Sequence, residues 1–170
     1  GQTHCLQMPA EVVHALRKLS ARIGVTVSNL MLATLFILLK SCGQKHATTI
    51  GMPITLRDEC ALQQMIGCFL NVLLLRAEPE SSQSAASFAK SLQAQFLESM
   101  AHKDIPYEML VDELGVKRQT DRNALFQVMF SYQQQGVSDG DFAGHAMQHQ
   151  PVLYDIAKFD LTAFVFDHND

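Results

Sequence analysis

IGCFLNVLLLR, residues Ile66 to Arg76, is apolar almost throughout, with one amide, Asn71, in its middle and one guanidinium, Arg76, at its end. The half from Phe69 to Arg76 predicts a β-strand. It lacks a clean apolar–polar alternation, which predicts burial on both faces. A buried amide must find hydrogen-bond partners. Asn71 is therefore either the partner of a backbone group at a strand irregularity or a group that meets a ligand.

Outward from this stretch, ATTIGMPITL (Ala47 to Leu56) is β-rich and predicts the preceding strand. Arg57, Asp58 and Glu59 form a polar connection between the two. Upstream, Thr3 to Met8 predicts a short strand, and Pro9 suits the first turn of a helix. Val12, Leu16, Leu19 and Ile23 recur at helical spacing up to a C-capping Gly24. A second helix, from about Asn29 to Ser41, is apolar all round and is expected to be central. Downstream, Phe88, Leu92, Phe96 and Met100 mark one face of a helix, and a short helix is expected from Tyr107 to Leu114, stopped by Gly115. LFQVMFSYQ (Leu125 to Gln133) predicts a strand, Gly136 to Gly144 a turn-rich loop, and His145 to Leu153 and Phe159 to Asp167 two further strands. Strands and helices intermingle without a strict βαβ period. The expectation is an α/β (α+β) domain with a mixed β-sheet flanked by helices.

Bulk properties narrow the function. The 170 residues fit one domain, and 48% hydrophobic with 18% charged residues is a globular composition. The net charge of −4 offers no basic surface for nucleic acid; the local cluster Lys117–Arg118–Arg122 reads as a solvated helix exit. The longest apolar run, Leu30 to Leu39, is about half a bilayer span, so no membrane segment is expected. Cys5, Cys42, Cys60 and Cys68 match no zinc pattern. Cys42 and Cys68 sit in apolar stretches and are expected to pack as small hydrophobes. No signal-peptide pattern stands at the N-terminus, which with free thiols points to a reducing, cytoplasmic setting.

Catalytic motifs are missing. G-x-S-x-G, the P-loop, G-x-G-x-x-G and H-E-x-x-H do not occur. His145 and His149 are four apart in a strand-like context, which separates them by about 13 Å and disfavours a shared metal. His102 precedes a helix start, where capping or surface exposure is the simpler role. His14 is expected on an exposed helix face and His46 in a loop. The residues alone give an α/β domain without a visible catalytic centre and without metal ligands.

Four blocks carry a family resemblance. IGMPITLRDECALQQMIGCFLNVLLLR (Ile50 to Arg76) resembles the IGxPxxxR…IGxFVNTxxLR stretch of nonribosomal peptide synthetase condensation domains. HKDIPYEMLVDEL (His102 to Leu114) is similar to that family's HQDxPFExLVExL, KRQTDRNALFQVMFSYQ (Lys117 to Gln133) to its RDxSRNPLFQVMF, and KFDLT (Lys158 to Thr162) to a fourth block. Order and spacing agree over essentially the whole chain. Departures are Val72 for the Thr after Asn, Lys103 for Gln, Asp121 for Ser and Ala124 for Pro.

The resemblance implies one lobe of a chloramphenicol acetyltransferase-like two-lobe fold. Residues 1–170 would be most of the C-terminal lobe, with the N-terminal catalytic lobe and its HHxxxDG motif absent, since none of the seven histidines forms an HH pair. The implied activity is amide formation between carrier-protein-bound aminoacyl or peptidyl thioesters, with no cofactor beyond the phosphopantetheine arms of the carriers. Implied partners are the N-terminal lobe, peptidyl or acyl carrier proteins and an adjacent adenylation domain. No catalytic residue is expected in this chain, which is predicted to be inactive alone. An uncovered apolar face and self-association through it follow from the missing lobe. Asn71 becomes a candidate tunnel residue, open alongside its structural role. Arg57, Arg76, Arg122 and Asp160 are candidate anchors: Arg57 and Arg122 hold loops through charge-assisted bonds, Arg76 ends its strand at the surface or meets a carboxylate across the sheet, and Asp160 pairs with one of the arginines. Phe69 and Phe159 are expected in the core. A non-catalytic docking or scaffold module, and a lobe of another acyltransferase of the same superfold, are the competing readings.

Overall fold

The computed structural model describes residues 1–43, 46–117, 122–134, 141–146 and 156–167. Helix α1 (Ala10–Ile23) begins after Pro9 and ends at Gly24, whose φ of 72° is the left-handed C-cap that glycine adopts without strain. Helix α2 (Val27–Ser41) follows after three residues, Gly24 to Thr26. Thr26 caps it by accepting from the Asn29 amide at 3.1 Å. The tight α1–α2 turn is held from outside by Gln93, which accepts from the Thr26 amide and donates to the Gly24 carbonyl. Helix α3 (Cys60–Gln63) is a single turn, α4 (Ala85–Met100) is capped by Ser84, and α5 (Tyr107–Glu113) follows Pro106.

Strands β1 (Thr48–Thr55), β2 (Leu70–Ala77), β3 (Val128–Gln134) and β6 (Leu161–Asp167) form one mixed sheet in the order β2-β1-β3-β6. β1 and β2 are antiparallel, while β1–β3 and β3–β6 are parallel. Strands β4 (Asp141–Phe142) and β5 (His145–Ala146) form a separate two-residue hairpin, with positive φ at Ala143 and Gly144 in its turn.

The core lies between one face of the sheet and helices α2 and α4. Phe36, Phe130, Leu32, Ile50, Leu75 and Leu92 are its fully buried side chains, and Phe36 meets Phe88 edge-on at 6.1 Å. Each such burial stabilises the fold by about 1.5–3 kcal/mol.

The mixed sheet flanked by helices agrees with the sequence expectation, but five local expectations are corrected. Thr3–Met8 forms no strand; six residues with no paired partner cannot hold one. The opening stretch is not buried on both faces. β2 is an edge strand, and only Leu73 and Leu75 are buried, while Leu70 is 64% exposed. Helix α2 leaves Ile37 and Leu38 partly in solvent rather than being enclosed all round. The strand expected from Leu125 starts only at Val128, because Phe126 turns into the opposite face of the sheet. Cys42 and Cys68 are exposed, like Cys5 and Cys60: one ends a helix and the other lies in the α3–β2 loop, so neither reaches the core. Residues 147–153 of the expected fifth strand, 136–140 of the expected loop and Arg118 lie outside the described residues.

Candidate functional site

Asn71 is the second residue of the edge strand β2 and uses its whole amide on backbone. Its Nδ2 donates to the Lys103 carbonyl at 2.8 Å and the Ile105 carbonyl at 2.7 Å. Its Oδ1 accepts from the Val72 amide at 2.9 Å and the Tyr107 amide at 3.2 Å. Two acceptors on one side and two donors on the other dictate the orientation of the amide. Tyr107 is the first residue of α5, and Pro106 provides no side-chain cap. Asn71 thus caps α5 from a distant strand while it pins the α4–α5 turn to β2.

Arg57 does for the α3–β2 loop what Asn71 does for the α4–α5 turn. Its guanidinium donates to the carbonyls of Leu62, Met65 (2.7 Å) and Gly67 (3.0 Å) and lies 4.4 Å above the centre of the Phe69 ring. The planar fork suits three carbonyls fanned around one point, and the ring face adds a cation–π contact. Lys103, the residue that stands where the family pattern has Gln, pairs with Asp58 in the connection after β1. Its backbone and its ammonium are therefore both held, by Asn71 and Asp58.

The four motif blocks meet behind β1. A side chain at Gly51 would meet the Phe126 ring at 2.5 Å, so glycine here makes room for that ring. Tyr107 packs edge-on against Phe126 at 5.8 Å and Phe159 stacks on it at 5.0 Å. The Tyr107 hydroxyl lies 3.3 Å from Asn123 Oδ1. Gly51, Tyr107, Phe126 and Phe159 come from the four separate blocks. Phe69 and Phe159 are half-buried, in ring contacts rather than free for substrate.

The other candidate residues are not brought together. Arg122 is exposed and makes no hydrogen bond or ion pair with a described residue. Asp160 is exposed just before β6 and pairs with neither Arg57 nor Arg122; the donors of Arg57 go to carbonyls instead. Arg76 is exposed opposite Thr49 and forms no ion pair among the described residues. His14, His46, His102 and His145 are exposed; His149 lies outside the described residues. No group of three or more metal-ligating side chains occurs among the described residues.

A cavity of about 300 Å³ lies beside the Asn71 clasp, walled by β2, the end of α4 and α5. Among the described residues no single helix is long and apolar enough to cross a membrane. At the far edge of the sheet, Asp167 accepts from Arg17 of α1 at 2.7 Å and from the Tyr132 hydroxyl. Burial, then the bond to the Asp167 carboxylate, push the Tyr132 phenol up to about 12. Near the other edge, a hydrogen bond and charge from Lys40 hold Glu78 below the usual carboxylate range.

The whole chain, residues 1–170, matches the family model described as the condensation domain, and the chain belongs to that family. Tyrocidine synthase 3 of Brevibacillus parabrevis is 32% identical over 170 residues, which are 100% of this chain and 3% of that protein. The phosphinothricin tripeptide synthetase PhsC of Streptomyces viridochromogenes is 34% identical over 168 residues, 98% of this chain and 16% of that protein. The chain thus spans a small part of the curated relatives it matches. In fold it is similar to a four-domain nonribosomal peptide synthetase bound to AMP and glycine, with a TM-score of 0.83 at 20% identity over 94% of this chain and 13% of that one. It is also similar to the X-domain from teicoplanin biosynthesis, with a TM-score of 0.78 at 19% identity over 91% of this chain and 35% of that one.

Sequence reasoning singled out Asn71 and Arg57 but not their partners. Lys103, Ile105 and Tyr107 meet Asn71 through their backbone from far along the chain, and no local pattern marks that. Gly51 carried a signal: a glycine inside a strand points to close approach of another group.

Proposed function

We propose that residues 1–170 are most of the C-terminal lobe of a nonribosomal peptide synthetase condensation domain, with the N-terminal lobe and its HHxxxDG motif elsewhere in the same protein. One observation carries this reading: nearly all of this chain superposes on about a third of a solved single domain of the same fold. The reaction is amide formation. An acceptor amine attacks the carbonyl carbon of a donor thioester, the carbon–sulfur bond breaks, and the thiol of the donor's phosphopantetheine arm leaves with the proton lost by nitrogen. Carrier proteins bring both substrates, an adenylation domain adjoins, and the setting is cytoplasmic.

In this reading the chain supplies a wall of the reaction tunnel rather than a reacting group. Such a wall contributes by alignment, which accounts for a large share of the rate in reactions of this kind. The lobe alone is inactive. Asn71 shapes the wall: with all four of its hydrogen-bonding positions on backbone, it holds the α4–α5 turn in place rather than binding substrate. The apolar side chains left in solvent on β6 are covered by the other lobe, and the chain without it self-associates.

The reading frame upstream of Gln2 tests the proposal. An HHxxxDG motif about 100–150 residues earlier, a one-domain distance, is expected. A frame without it would sink the catalytic reading in favour of a docking module.

A further inference from the structure

The α4–α5 turn closes the end of the β1–β2 pair into a ring. The Leu56 amide donates to the Phe69 carbonyl at 2.8 Å, one rung beyond the last pair of the ladder, Thr55 with Leu70. Two residues on, Asn71 Nδ2 donates to the Lys103 carbonyl at 2.8 Å. The Lys103 side chain then returns to the carboxylate of Asp58, two residues after Leu56. The circuit runs through Leu56, Phe69, Asn71, Lys103 and Asp58 and back. Arg57 sits inside it. Its amide donates to Thr55 Oγ1 at 3.2 Å, and its guanidinium holds the carbonyls of Leu62, Met65 and Gly67. At the tip of that loop Met65 is half exposed and Ile66 fully exposed.

One link of the ring joins two charged side chains, and the others use backbone groups on at least one side. Salt screens interactions between exposed charges. The Asp58 side chain is 58% exposed and that of Lys103 18%, so the pair lies within reach of screening. An exposed pair gains little where two free side chains must be ordered to form it. Here part of that ordering is already made: Asn71 fixes the Lys103 backbone, and Arg57 fixes the residue next to Asp58.

We propose that the Lys103–Asp58 pair is a salt-sensitive latch that joins the α3–β2 loop and the α4–α5 turn into one stiff unit. Closed, it couples the Arg57 cradle to the Asn71 clasp, so that loop and turn open together. Open, the loop is held by Arg57 alone and the turn by Asn71 alone, and both loosen. This inference does not rest on the condensation reading.

The test follows amide exchange in the ¹⁵N-labelled 170-residue chain at two reporters. One is the Met65 amide, bonded to the Leu62 carbonyl at 3.3 Å; the other is the Ile105 amide, bonded to the His102 carbonyl at 3.1 Å. Raising sodium chloride from about 0.02 M to about 0.5 M should speed exchange at both, by about two- to fivefold. Lys103→Gln, which places the family pattern's own residue there, and Asp58→Asn should each exchange at the faster rate already at low salt and lose the salt response. Protection of the β1 and β3 amides, equal to that of the parent, shows that both variants are folded. A parent without a salt response overturns the proposal, and so does a response at one reporter only. A variant that keeps the parent's response also overturns it, because other charges would then carry the effect.

Discussion

The two edges of the sheet are finished in opposite ways. At β2, side chains partly close the edge: Asn71 of the strand itself takes the Val72 amide, Gln95 of α4 takes the Arg76 carbonyl, and the α4–α5 turn is bound against it. At β6, no strand covers the outer side among the described residues, and Phe164 and Phe166 stand 58% and 55% exposed, stacked on each other at 6.4 Å. Unsealed edges and exposed aromatic pairs are liabilities in a chain that works alone. The contrast suits the proposed role as one wall of a two-lobe domain: one edge is held by the chain's own side chains, and the other is open among the described residues.

The largest effect is expected at the finished edge. Asn71→Ala removes bonds to four backbone groups and is expected to destabilise the chain by about 2–3 kcal/mol, read as a lowered urea midpoint. Amide exchange at 103–107 should accelerate first; a variant as stable as the parent would remove the sealed-edge half of the comparison. Arg57→Lys keeps the charge but loses the fork that reaches three carbonyls, and about 1 kcal/mol is expected. Its signature is local: faster exchange in residues 62–67 with β1 and β2 unchanged.

At the other edge the phenol of Tyr132 gives a pH test. Its folded value of about 12 lies above the unfolded value of about 10. The folded state therefore holds the proton longer, and stability is complete below pH 10 and falls as pH rises from 10 towards 12. Denaturation midpoints across that range should fall less steeply in Tyr132→Phe; equal slopes would mean that Tyr132 does not couple α1 to β6 through Asp167. The smallest effect on stability belongs to Phe164→Ser with Phe166→Ser, about 0.5–1 kcal/mol below the parent, because both rings are more than half exposed. Sedimentation velocity should nevertheless show less self-association. Unchanged association would place the sticky surface elsewhere.

Much of this was legible in the chain. Helices α1, α2, α4 and α5 and strands β1, β2 and β6 follow from apolar spacing, caps and β-rich runs, and the order of the four motif blocks carried the family. The edge position of β2 was not legible. LNVLLLR reads as a strand enclosed on both faces, since apolar letters do not say whether a neighbour lies on one side or two. Asn71 was recognised as a polar group in need of partners, but three of its four partners are main-chain atoms more than 30 residues away, and backbone carries no sequence signal. The expected Asp160 pairing failed for a related reason: a charge pattern names possible partners, while the fold gave Arg57 three nearer carbonyls.

The most direct test of the central claim is an amide-formation assay with an aminoacyl thioester donor and an amine acceptor, each on a pantetheinylated carrier protein. It compares the 170-residue chain with the longer synthetase segment that contains it. The account predicts product from the longer segment, none from the chain alone, and a reduced rate when Asn71→Ala loosens the wall of the longer segment. Turnover by the chain alone would contradict it, because one wall would then be doing the work assigned to two.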